Sequence, residues 1–132
     1  MPYRANVVSE TMATEDFRRV LFTGERSQLV VMTIPPGGEI GEERHDHVEQ
    51  TLFCLSGTGA VILDGARSSF GPGDVVVVTP RTRHNFVNAG TEPLRIYTIY
   101  APANHIDGRV HRTKADADAD GADEEFGHAA GR

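Results

Sequence analysis

The chain has 132 residues, with 13 lysines and arginines against 19 aspartates and glutamates, and a formal net charge of -6. This length fits one domain with one hydrophobic core. The acidic balance argues against nucleic acid and against an anionic membrane surface as the main partner, because both need a concentrated basic face. No apolar run approaches the ~20 residues of a transmembrane helix, and no signal peptide is visible. The single cysteine, Cys54, excludes an intramolecular disulfide and favours a cytoplasmic location.

Short β-strands separated by turn residues dominate the first part of the chain. Residues 1–16 are polar, and within them residues 6–8 could form an edge strand. Residues 17–23 predict a strand that ends at a glycine turn, and residues 27–34 predict a second strand that is richer in β-branched side chains. Two prolines and two glycines at residues 35–38 stop this second strand.

The same pattern continues through the rest of the chain up to about residue 100. An Asp-Gly pair at residues 64–65, between two runs of β-forming residues, predicts a hairpin. Four consecutive valines at residues 75–78 predict a buried or half-buried strand, and residues 84–88 and 94–100 predict two more. Because no segment before residue 112 shows a helical period, the sequence predicts an all-β sandwich or barrel over residues 1–112.

The last part of the chain differs in composition. Residues 104–111 predict an ordered loop packed over the barrel. Residues 113–132 are acidic and rich in glycine and alanine, with one weak helical turn at residues 113–120. This composition predicts a flexible, disordered tail exposed to solvent.

A cluster of polar residues precedes the strand predicted at residues 50–55. His45 and His47 are two residues apart, so in an extended segment their side chains point to the same side. Two imidazoles directed at one point are typical ligands of a divalent transition metal. Gln50 lies on the inward face of its strand by parity, and Glu49 lies on the other face. Gln50 is therefore the better ligand and Glu49 a supporting or catalytic carboxylate, although a break in parity at Val48 would exchange them.

A third histidine opens a later strand, where His84, Phe86 and Asn88 share one face. If this face is inward, His84 meets the other two histidines and Phe86 forms an apolar wall beside them. Arg81 could attract an anionic substrate or be a solvated turn residue. We assign three residues to a substrate pocket, which are Phe86, Arg81 and Tyr97. Tyr97 lies in the barrel wall.

Glycines bracket the first group of polar residues, in the order Gly38, His45, His47, Gln50 and Gly57. This arrangement resembles the first motif of the cupin family, in which a glycine, an HxH pair, a glutamate and a second glycine follow one another. The interval from Gln50 to Gly57 matches the family. The interval from His47 to Gln50 is short, and glutamine stands where the family has glutamate.

The second cupin motif resembles residues 73–79, His84 and Asn88, with Thr79 and Arg81 where proline and glycine are usual. Together the two motifs span residues 38–88. The resemblance implies a single-domain jelly-roll β-barrel and a possible homodimer. It also implies one divalent transition metal (Zn, Mn, Fe, Ni or Co) held by His45, His47, Gln50 and His84.

The neutral amide of Gln50 bears on the expected chemistry. Without a carboxylate ligand the metal keeps its double positive charge, which favours Lewis-acid chemistry of the isomerase or lyase type on a small oxygenated acid or sugar derivative. Glu49 or metal-bound water would move the proton. The alternatives are an Fe(II)-dependent dioxygenase and a non-catalytic cupin that binds or senses a small ligand.

Overall fold

Two antiparallel β-sheets pack face to face in the computed structural model, which describes residues 1–131. The larger sheet has the strand order β6-β3-β8-β2-β1-β9 and the smaller sheet has the order β5-β4-β7. The strands are β1 (Arg18–Thr23), β2 (Gln28–Ile34), β3 (Glu49–Ser56), β4 (Gly59–Leu63), β5 (Ala66–Phe70), β6 (Val75–Val78), β7 (His84–Asn88), β8 (Leu94–Ala101) and β9 (Val110–His111). This architecture confirms the all-β barrel predicted from the sequence.

The core lies between the two sheets and follows from side-chain alternation. In β7 the odd-even pattern buries His84, Phe86 and Asn88 and leaves the residues between them partly exposed. Phe86 packs edge-on against Phe70, with ring centroids 5.1 Å apart. Full burial of side chains such as Leu52 and Phe86 contributes about 1.5–3 kcal/mol each to stability.

The predicted hairpin joins β4 and β5, and the turn chemistry accounts for it. Asp64 and Gly65 have φ angles of 48° and 85°, so both central residues adopt the left-handed conformation that a two-residue hairpin loop requires. At the corner between β3 and β4, Gly57 has a φ of 94°, and a Cβ there would come within 2.5 Å of the Pro93 carbonyl oxygen. The hairpin therefore depends on the Asp-Gly pair that predicted it, and the corner depends on a glycine at residue 57.

The N-terminal segment is a helix and not the edge strand predicted for residues 6–8. Helix α1 spans Val7–Ala13, and the side chain of Asn6 accepts a hydrogen bond from the Ser9 amide at 2.9 Å. Thr11 is fully buried against the barrel. The N-cap and one buried contact therefore decide the conformation of a segment that has weak propensity of its own.

Residues 113–132 were expected to form a solvated tail, but the structure contains two helices there, α2 (Lys114–Ala119) and α3 (Gly121–Ala129). Thr113 and Asp120 act as their N-caps. Asp123 is only 4% exposed, and its carboxylate accepts hydrogen bonds from His105 and Ile106 in the loop after β8. An acidic composition predicts that carboxylates are exposed to water. Here, however, the carboxylates of Asp120 and Asp123 accept hydrogen bonds from other parts of the chain.

No helix described over residues 1–131 is both long and apolar enough to cross a bilayer. Cys54 is 3% exposed in β3, where it packs as a small hydrophobic residue. Burial and the nearby charge of Asp74 raise the pKa of its thiol to about 11. The thiol is therefore protonated and unreactive at neutral pH.

Candidate metal centre

Glu43, His45 and His84 converge at one end of the barrel, where one potential ligand atom of each lies within 4.8 Å of the others. The backbone explains why they meet. Glu43 and His84 form an isolated antiparallel bridge, in which each amide donates to the other's carbonyl at 2.9 Å. Directly opposed residues in such a pair project to the same face. His45 lies two residues after Glu43 and returns to that face.

His84 is oriented by a hydrogen bond behind the cluster. Its Nδ1 lies 2.8 Å from the Thr82 carbonyl oxygen, to which it donates. The neutral ring therefore carries its lone pair on Nε2. Burial lowers the pKa of His84, which keeps the ring neutral near physiological pH.

The Nε2 atom of His45 is buried without a hydrogen-bond partner among the described residues. It lies 3.0 Å from Oε2 of Glu43, but the two groups are not aligned as a hydrogen bond. The His45 and His84 rings are 5.1 Å apart and tilted by 48°. A buried polar atom without a partner is costly, and a bound metal ion would satisfy it.

Glu43 is ionised in this environment. Burial by itself would raise the pKa of its carboxyl, but the nearby His45, Arg18 and His84 outweigh burial and lower the pKa to about 2. The donor set is therefore one carboxylate and two imidazoles. Such a set fits a divalent transition metal, whether Zn or a non-haem Fe(II) ion.

His47 and Glu49 lie outside this cluster, and Gln50 is buried in β3. His47 is exposed and lies outside the cluster, because the chain bends at residues 46–47. Just before this bend, the Arg81 amide donates a hydrogen bond of 2.7 Å to the His45 carbonyl oxygen. Gln50 is 3% exposed, and its Nε2 donates to Oγ1 of Thr98 at 3.1 Å. Glu49 is exposed on the opposite face of β3. The two side chains therefore point to opposite faces of β3, as the alternation of the strand predicts.

Sequence reasoning did not identify Glu43, although the signal was present. Glu43, His45 and His47 alternate, so the parity argument for the two histidines applies equally to Glu43 and His45. With Glu43 and His45 as the motif pair, four residues separate His45 from Gln50, and the interval is no longer short. This alternative pair shifts the motif register by two residues.

The three residues assigned to a substrate pocket do not line the cavity next to this cluster. Phe86 is 1% exposed and belongs to the core. Tyr97 lies on the outer face of the large sheet, where its ring stacks on Phe53 at 4.8 Å. Arg81 is exposed, and its backbone has a φ of 69°, a left-handed conformation that explains why related motifs have glycine there.

A cavity of about 500 Å³ adjoins Glu43 and His45. The barrel contributes one wall and the two C-terminal helices contribute another, so the segment expected to be a tail is part of the site. The lining residues from the C-terminal helices are Lys114, Ala117, Asp118, Asp123, Glu124, Gly127 and His128.

Two further buried residues with titratable side chains line the cavity, Arg18 from β1 and His105 from the loop after β8. His105 Nδ1 lies 2.7 Å from Oδ2 of Asp123, which is on α3. Tyr100 is the inward-facing tyrosine of β8. Its ring packs edge-on against two histidine rings, with centroid distances of 5.0 Å to His105 and 6.4 Å to His45. The cluster, Tyr100 and His105 therefore form one connected polar region.

The chain was compared with known proteins. A family model described as "Cupin domain" matches residues 30–100. The uncharacterized protein YrkC of Bacillus subtilis (strain 168) is 37% identical over 122 residues, which span 88% of this chain and 66% of YrkC. This chain thus spans slightly less than two thirds of that relative.

Two crystal structures are also similar. BH2720 from Bacillus halodurans has a TM-score of 0.88 and 36% identity, with 90% of this chain and 95% of that chain covered. A Klebsiella pneumoniae protein with a double-stranded β-helix domain has a TM-score of 0.68 and 26% identity, with 85% and 100% covered. The family match spans more than half of the chain, from β2 to β8, and includes the Glu43–His45–His84 cluster. The chain belongs to the cupin family.

Proposed function

We propose that this chain is a metal-dependent cupin enzyme that acts on a small oxygenated acid. The observation that carries the proposal is the convergence of Glu43, His45 and His84 around the buried, unpartnered Nε2 of His45. These three residues would hold one divalent transition metal. Gln50 remains a candidate fourth ligand, because it is buried and β3 pairs it with Tyr100, which contacts His45.

The carboxylate of Glu43 changes the charge argument drawn from Gln50. Glutamine removes one negative charge from the usual ligand set, but Glu43 restores it. The expected centre is therefore a two-histidine, one-carboxylate site and not a purely neutral one. A metal bound there would still polarise a carbonyl or an enediol as a Lewis acid, as in isomerase or lyase chemistry.

Proton transfer in such chemistry requires a base inside the cavity. Glu49 is exposed on the other face of β3, so His105 is better placed. Its Nδ1 donates to Asp123, and burial lowers the pKa of the ring, so that Nε2 of neutral His105 can accept a proton. This Asp–His pair supports the enzyme proposal over a purely structural metal.

Metal analysis of the purified protein tests the proposal. We expect one divalent metal ion per chain in the wild type, measured by inductively coupled plasma mass spectrometry, and a large loss in His84→Ala. Thermal unfolding of both proteins controls for misfolding. Unchanged metal stoichiometry in a folded His84→Ala protein would exclude His84 as a ligand.

An Fe(II)-dependent dioxygenase is the second candidate, and the two-histidine, one-carboxylate donor set specifically favours it. Oxygen uptake by the iron-loaded protein with a panel of catechols, thiols and diketones distinguishes the two functions. Consumption that requires iron would support the dioxygenase. Turnover of an oxygenated acid without oxygen consumption would support Lewis-acid chemistry.

We also propose that the chain forms a homodimer through an open edge of the larger sheet. In the described residues β6 pairs only with β3 and so leaves an open edge. Val75 and Val77 are 52% and 53% exposed beside it, and Ile99 in the same sheet is 37% exposed. A second copy could pair with this edge about a two-fold axis.

Light scattering should give the dimer mass for the wild type and the monomer mass for Val77→Lys. A monomeric wild type would exclude the dimer.

A further inference from the structure

We propose that Arg18 and His105 form a subsite for a small hydroxycarboxylate in the cavity next to Glu43, His45 and His84. Arg18 would bind the carboxylate, and His105 would accept a hydrogen bond from the hydroxyl group. This inference rests on the proposed function, because it names the substrate class of the same cavity.

Arg18 is a buried cation that forms no direct ion pair among the described residues. It is 6% exposed, and its Nε has no hydrogen-bond partner among residues 1–131. The described residues include no ion pair to its guanidinium, which instead lies over the Phe17 ring, 5.2 Å from the ring centroid. Burial raises the pKa of the neighbouring Tyr100 hydroxyl, and the charge of Arg18 only partly offsets this. A buried guanidinium is normally paired, so an anionic ligand is its missing partner. A carboxylate matches the planar geometry of the group.

His105 offers the complementary atom. It is also 6% exposed, and its Nε2 has no partner among the described residues, while its Nδ1 lies 2.7 Å from Oδ2 of Asp123. The donation from Nδ1 leaves Nε2 of the neutral ring as an acceptor. An acceptor inside a cavity is satisfied by a hydroxyl donor. A ligand that carries both a carboxylate and a hydroxyl group therefore satisfies both unpartnered atoms.

Both residues lie close to the proposed metal ligands. Arg18, Glu43 and His105 line the same cavity, and the charge of Arg18 lowers the pKa of both Glu43 and His105. The buried charges of the cavity are Arg18 and Asp123, and the third central charge, Glu43, is partly exposed. A divalent ion at the cluster would leave these groups with one net positive charge, which suits a monocarboxylate. The acidic residues Glu42, Asp118 and Glu124 are exposed, so water screens their repulsion.

The test uses the metal-loaded, full-length protein with glycolate as the probe and acetate as its hydroxyl-free counterpart. Thermal shift and isothermal titration calorimetry are carried out at constant ionic strength. We expect glycolate to raise the melting temperature with increasing concentration, and to bind more tightly than acetate. No stabilisation of the wild type by glycolate would overturn the subsite.

Variants separate the two contacts. Arg18→Met should weaken glycolate binding by about tenfold or more, the effect of losing a charge-assisted hydrogen bond, and Arg18→Lys should keep part of it. His105→Phe preserves a ring beside Tyr100 but removes one donor to Asp123, so hydrogen exchange over residues 113–131 is measured on it to show that helix α3 stays in place. This variant should remove the advantage of glycolate over acetate. Equal glycolate affinity in Arg18→Met and wild type would overturn the carboxylate assignment. A persisting preference for glycolate in His105→Phe would overturn the hydroxyl assignment.

Metal content measured on every variant keeps the two proposals apart. Arg18→Met and His105→Phe should retain metal, whereas His84→Ala should lose it. If the wild type holds no metal but binds glycolate through Arg18, the metal proposal fails and the subsite stands. If metal binds as expected but glycolate affinity does not depend on Arg18, the subsite alone fails.

Discussion

Glu43→Gln should weaken metal binding by more than about 100-fold, while His47→Gln should leave it unchanged. Loss of a residue that only supports a ligand costs 10–100-fold in affinity, and Glu43 is proposed to bind the metal directly. Its side chain lies with His45 and His84, whereas His47 is exposed. Competition titration with a chromophoric chelator measures both affinities. The glutamine variant keeps the side-chain volume, so the comparison isolates the negative charge.

The matched pair also distinguishes the two motif registers. If His47→Gln lost metal and Glu43→Gln retained it, the His45–His47 pair predicted from the sequence would be the correct one. The isolated bridge between Glu43 and His84 would then have only a structural role. Equal melting temperatures in the absence of metal would show that neither change acts through unfolding.

Asp123→Ala should destabilise the protein by about 3 kcal/mol and release helix α3. The carboxylate accepts hydrogen bonds from His105 Nδ1 and from the Ile106 amide, each at 2.7 Å, in a site that is 4% exposed. Hydrogen bonds to charged groups contribute roughly 1.5–3 kcal/mol each. Urea unfolding measures the loss, and hydrogen exchange over residues 113–131 reports the release of the helix.

Asp118→Ala is the control for this substitution. Asp118 also lies in the C-terminal segment, but its ion pair with Lys114 is exposed, and such pairs contribute about 0–1 kcal/mol. Equal stability of the two variants would show that the His105–Asp123 contact does not hold the helix. Faster exchange throughout the barrel would indicate global unfolding and not local release.

The same contact should make the C-terminal helices sensitive to acid. Burial lowers the pKa of His105 below its ordinary 6.5, and the hydrogen bond to Asp123 opposes this only in part. As the pH falls below 6.5, the unfolded state therefore binds more protons than the folded state, and the free energy of unfolding falls. Hydrogen bonds from His105 and Ile106 outweigh burial and lower the pKa of Asp123 below its ordinary 3.8. Its contribution is present above that value and is lost as pH falls through the folded pKa. Protection factors, which correct for the slower intrinsic exchange of amides in acid, should therefore fall over residues 113–131 between neutral and acidic pH. Constant protection factors would contradict this.

Local patterns in the sequence were sufficient to predict the barrel. The Asp64-Gly65 pair located a hairpin, because few residue pairs adopt two successive positive φ angles. Alternation placed Gln50 inward and Glu49 outward, because successive side chains of a strand point to opposite faces. The same rule put His84 and Phe86 on a buried face. These inferences depend on neighbouring residues alone.

The residues of the site depended on contacts between distant segments. The bridge from Glu43 to His84 selects Glu43 over His47, and parity alone applies equally to both. Phe86 shares a buried face with His84, but only the position of Phe70 shows that it packs in the core. Tyr97 and Tyr100 are opposite in parity, and the pairing of β8 decides that Tyr100 is the inward one.

The sequence by itself determined the cupin fold, the inward position of Gln50 and two of the three residues in the cluster, because turn chemistry and strand alternation are local. Only the tertiary structure decided that Glu43 completes the cluster and that the acidic C-terminal segment forms a wall of the cavity. Its helices are held by hydrogen bonds from His105 and Ile106 to Asp123, which is 18 positions from His105. Composition alone contains no information about where a carboxylate will find its donors, and the fold supplies them.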